Sequence, residues 1–129
     1  MKKIYHLIAF PAEWLTGQAL FHKANLREAT EDDRAAFTDW KEQNQLYWYA
    51  GKAHRGVFDS KELVIEYINK YPSIHEGYYD YLCIVPMQLN VFDDWCMPED
   101  ETWFQITLED YSYKQIERPE CLEGTFGWV

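Results

Sequence analysis

The residues best able to do chemistry in this chain are carboxylates. Between positions 93 and 101 the sequence sets Asp93, Asp94, Glu99, Asp100 and Glu101 around Trp95 and Met97, with Trp103 just beyond. Five acids this close can hold a hard cation through oxygen. A calcium loop, however, needs alternating Asp/Asn ligands and a central glycine, and neither is present. Large apolar side chains among acids have instead the composition of an interface, with aromatic anchors inside a charged rim. A solvated loop that only keeps the protein soluble has the same composition, and both readings stand at this point. Because acids and tyrosines continue past position 108, the candidate partner-binding set is Asp93, Asp94, Trp95, Glu99, Asp100, Glu101, Trp103, Glu109, Asp110, Tyr111, Tyr113 and Glu117.

Other reactive side chains are scattered. His6, His22, His54 and His75 stand far apart, none within four residues of another, so each is expected at a surface or a strand end and no metal site is assigned. Cys83, Cys96 and Cys121 form no CxxC spacing and have no histidine pair beside them, which argues against a zinc site or a disulfide scaffold and fits a reducing cytoplasm. There is no Ser/His/Asp order, no glycine-rich phosphate loop, no HExxH and no GxSxG. The expectation is a protein with no catalytic residues and no cofactor.

Charge limits the partners. The chain of 129 residues has 22 acids against 12 bases, a formal net charge of −10, and residues 93–129 alone hold ten acids and two bases. Such a surface repels phosphate backbones and anionic lipid and attracts basic proteins. Hydrophobic residues reach 47%, enough for one sizeable core at this length, and no run approaches the roughly 18 apolar residues of a membrane span. The opening Met1-Lys2-Lys3 and the apolar residues after it resemble a short signal peptide. Tyr5, His6, Pro11 and Glu13 interrupt that pattern, and a first strand is the better reading.

The elements that must position these residues centre on positions 56–89. Phe58-Asp59-Ser60-Lys61-Glu62-Leu63 spells a helix start, with Asp59 as cap, Glu62 completing a capping box and Phe58 stapled to Leu63. Leu63, Val64, Tyr67, Ile68 and Tyr71 then form one apolar face, and Pro72 stops the helix. After a turn at Gly77, residues 78–89 are apolar on both faces and read as a central strand. Residues 3–10 read as another interior strand. Thr30 caps a second helix over 30–44, which Ala36, Phe37 and Trp40 make half-exposed. Leu46-Tyr47-Trp48-Tyr49 has β preference and predicts a strand over 46–58. Residues 102–109 alternate, with Phe104, Ile106 and Leu108 inward and Trp103, Gln105 and Thr107 toward solvent, and Tyr111, Tyr113 and Ile116 prolong that strand past a bend until Pro119. Residues 11–26 fit either a helix opened by Pro11 or a short strand. The sum is one α+β domain, residues 1–129, with an antiparallel or mixed sheet of four or five strands and two main helices on one face. Its core is expected from Ile4, Leu63, Ile68, Leu82, Ile84, Phe104 and Ile106.

In format the chain resembles the small acidic immunity proteins that bacteria encode beside polymorphic or contact-dependent toxins. The likeness rests on a single small domain, an acidic aromatic region, the strand-helix-strand unit from Val57 to Met87 and the tail Ile116-Glu117-Arg118-Pro119-Glu120-Cys121. It implies a cytoplasmic protein, monomeric when free, that binds and occludes a cognate toxin, often a basic nuclease domain. Two alternatives come from other classes. An inhibitor that mimics DNA would spread carboxylates over much of its surface, whereas here they concentrate in the last third; a ligand-binding module would use surplus aromatics from the 18% of Phe, Trp and Tyr.

Overall fold

In the computed structural model, which describes residues 2–70, 79–90, 98–107 and 112–122, the chain forms a five-stranded sheet flanked by helices. The strands are β1 (Lys3–Phe10), β2 (Ala53–Phe58), β3 (Tyr81–Gln88), β4 (Thr102–Ile106) and β5 (Tyr113–Ile116). They lie in the order β2-β1-β3-β4-β5, every neighbour antiparallel. The architecture is α+β. β1 and β3 are interior, as their two-faced apolar pattern requires. Pro86 is tolerated in β3 because pairing to β4 ends at Ile84, two residues earlier.

Side chains alternate between two cores. On one face Ile8, Phe10, Cys83, Val85 and Trp103 pack with Trp14, Leu15 and Leu122. On the other, Leu7, Ala9, Leu82, Ile84 and Phe104 pack with Val64 and Ile68. The α-helices among the described residues are α1 (Ala12–Ala24), α2 (Glu31–Gln43), α3 (Gln45–Ala50) and α4 (Lys61–Lys70). α1 covers the first face and α4 the second, so the helices divide between the two faces instead of sharing one. The physical reason is in β1 and β3, whose consecutive apolar residues leave both faces to be covered.

Of residues 11–26, Ala12–Ala24 form a helix. Pro11 offers no side-chain cap, and Asp80, the residue before β3, supplies it: its Oδ2 accepts from the Ala12 N–H at 2.7 Å. Behind α1 lie α2 and α3, and Phe21 of α1 forms an aromatic layer with Phe37 and Trp40 of α2 and Trp48 of α3. Gly17 in α1 admits the Trp40 ring, which fills the space a Cβ would take. That layer overrides the β preference of residues 46–50. Asn44 closes α2 by donating from its side chain to the Trp40 carbonyl, Trp48 N–H bonds the Asn44 carbonyl, and α3 follows, so β2 begins only at Ala53.

The cap of α4 is Ser60, one residue later than expected: Ser60 Oγ accepts from Leu63 N–H at 3.2 Å. The helix face turns accordingly. Leu63 is 46% exposed, while Val64 and Ile68 are buried and the Phe58 ring packs on Tyr67. Of the expected core, Ile68, Leu82, Ile84, Phe104 and Ile106 are buried and Ile4 is half-buried. The ends expected at Tyr71, Pro72, Gly77, Tyr78 and Leu108 lie outside the described residues.

Candidate functional site

The β4–β5 hairpin has two ends of different character. Trp103 pairs with Ile116 and Ile106 with Tyr113, so Glu117, one residue beyond β5, lies beside the start of β4. A short 3-10 turn at Pro98–Asp100 leads into that same start. Glu99, Asp100 and Glu117 are therefore gathered at one end, all exposed, and Glu120 in the next 3-10 turn (Glu120–Leu122) is exposed as well.

This end is rigidly built from below. Glu101 is not a rim carboxylate but the hub of a buried network, its side chain 2% exposed. Its Oε1 accepts from Arg118 Nε at 2.8 Å and from Trp103 Nε1 at 2.9 Å. Arg118 Nη1 also donates to the Leu122 carbonyl at 2.5 Å, which anchors the turn whose Leu122 is fully buried. One of the two bases of this region is thus consumed internally, and the four surface carboxylates have no ion pair among the described residues.

Trp103 is the clearest correction. Expected toward solvent, it is 1% exposed and stacks on Phe10, ring centroids 5.5 Å apart. The inferred alternation is real, but α1 and Leu122 cover the face it was given as solvated; in β4 only Gln105 is exposed. β5 is a separate antiparallel strand and no extension of β4. Tyr113 sits four residues from Glu117, roughly 14 Å along the strand at about 3.4 Å per residue. Half-buried beside Tyr67 and Arg55, it has a phenol pushed well above its usual value, mainly by burial. The fold thus joins Glu99, Asp100 and Glu117, assigns Glu101 and Trp103 to the interior and separates Tyr113. Asp93, Asp94, Trp95, Glu109, Asp110 and Tyr111 lie outside the described residues.

Glu120 and Arg118 were missed as site residues; the Glu-Arg-Pro-Glu spelling after β5 was the available signal. Cys83 is buried in the core, as its place in the central strand suggested. Among the described residues no three His, Cys, Asp or Glu side chains group as a metal site, and no helix is long and apolar enough to cross a membrane. Comparison with protein-family models, with curated proteins and with solved structures gives no significant match.

Proposed function

We propose that this chain acts by binding rather than by catalysis: an acidic inhibitor of the immunity type, cytoplasmic and monomeric when free, that docks a basic toxin domain and occludes it. The observation that carries this reading is the group Glu99, Asp100, Glu117 and Glu120, exposed at one end of the hairpin on a floor fixed by Arg118 and Glu101. A fixed floor suits recognition, because carboxylates on an ordered turn lose less freedom on docking than those on a loose loop. With Trp103 in the core, the described part of the site contributes charge, and charge acts mainly on the association rate.

The test uses the protein encoded beside this chain as the immobilised partner in surface plasmon resonance. Reversing Glu99, Asp100 and Glu117 to lysine together should slow association at least tenfold and flatten its salt dependence, since screening acts over about 8 Å at physiological ionic strength. An association rate equal to wild type would remove these residues from the interface.

A further inference from the structure

The four histidines are dispersed in sequence, yet the fold brings two of them into ring contact. His6 in β1 and His54 in β2 stand with ring centroids 5.4 Å apart and planes at 78°. A β-bulge makes the pair. His6 faces Val57 and Leu7 faces Gly56, but Ile8 faces His54, so Arg55 is the extra residue. In a regular ladder Ile8 would face Arg55, and His54 would fall on the opposite face of the sheet, away from His6. Re-aiming a side chain in this way is what bulges do, and Gly56, at φ 157°, supplies the unusual backbone.

We propose that His6 and His54 form a two-imidazole site for a divalent transition-metal ion, with zinc as the ion that the geometry fits. Two imidazoles sharing one tetrahedral zinc, at Zn–N of about 2.0–2.1 Å, place their ring centroids roughly 5 Å apart. The observed spacing needs little movement to match, and a square-planar ion would draw the rings closer. His54 is exposed, which gives the ion access from solvent. His6 Nδ1 is buried and has no hydrogen-bond partner among the described residues. No third His, Cys, Asp or Glu joins the pair among the described residues, so water completes the coordination. This site lies on the β1–β2 side of the sheet, remote from the acidic end of β4 and β5, and is independent of the function proposed there.

Zinc chloride titrated into the full chain by calorimetry, followed by imidazole NMR, is the test. One zinc per chain should bind, with the His6 and His54 resonances shifting together. His54→Ala, at an exposed position that leaves the core intact, should weaken binding at least tenfold, and His6→Gln likewise. Val57→His should tighten it at least tenfold, because Val57 is directly opposite His6 and 57% exposed, placing a third imidazole on the same face. No saturable binding by the wild type, binding that survives both histidine losses, or a shift of one ring alone would each overturn the proposal; the second outcome would mean that the surface carboxylates hold the metal.

Discussion

At the scale of single residues, the same acid can be surface or skeleton, and composition does not say which. Glu99, Asp100 and Glu101 are consecutive, but only Glu101 turns inward, where it meets Trp103 and Arg118. A buried ion pair contributes little over an apolar pair of the same shape, yet removing one partner strands the other. Arg118→Ala should therefore destabilise the fold by about 3 kcal/mol, since it leaves the Glu101 carboxylate buried and releases the Leu122 carbonyl. Changing Glu101 and Arg118 together to Leu and Met should recover much of that loss. Denaturant midpoints for the two variants check both statements, and equal losses in the two would show that the network is worth more than its desolvation.

At the scale of elements, Gly17 shows how far local preference yields to packing. Glycine inside an exposed helix normally costs about 1 kcal/mol relative to alanine, so Gly17→Ala would ordinarily stabilise. Here the Trp40 ring occupies the space of the new methyl, and the substitution should instead cost about 1–3 kcal/mol by prying α2 from α1. Near-ultraviolet circular dichroism and thermal melts read that displacement, and a raised melting temperature would contradict it. The same aromatic layer marks where the sequence was and was not legible. β1, β3 and α2 could be read because each pattern is self-sufficient: two-faced apolar runs, or a Thr30 cap with Asp33 reaching back to it. The helix at 45–50 could not, because its cause is Trp48 meeting Phe21 and Phe37, contacts made across more than ten residues. The burial of Trp103 was hidden similarly: strand alternation assigns side chains to faces but not the cover that each face receives, here α1 and Leu122. The His6–His54 contact needed a bulge, and Gly56 inside the strand hints at a bulge without fixing which residues it brings together.

At the scale of the molecule, a net charge of −10 acts on stability as well as on partners. Folding brings Glu99, Asp100, Glu117 and Glu120 closer together than the unfolded chain would hold them, and no cation pairs with them among the described residues. Their mutual repulsion opposes the folded state, and salt weakens that repulsion. If these acids serve a partner, they are retained at some expense to stability, as residues at functional surfaces often are. The charge-reversed variant with lysine at 99, 100 and 117 should then melt at or above the wild-type temperature, by roughly 1–3 °C at low salt, while binding its partner more slowly. Raising sodium chloride should lift the wild type toward the variant and narrow the difference, because screening removes the repulsion the reversal has already removed. Calorimetric melts at low and high salt measure this directly. Were the carboxylates present for structure, capping or pairing groups in the fold, reversal would lower the melting temperature at every salt concentration, and that result would turn the acidic end from a docking surface into part of the scaffold.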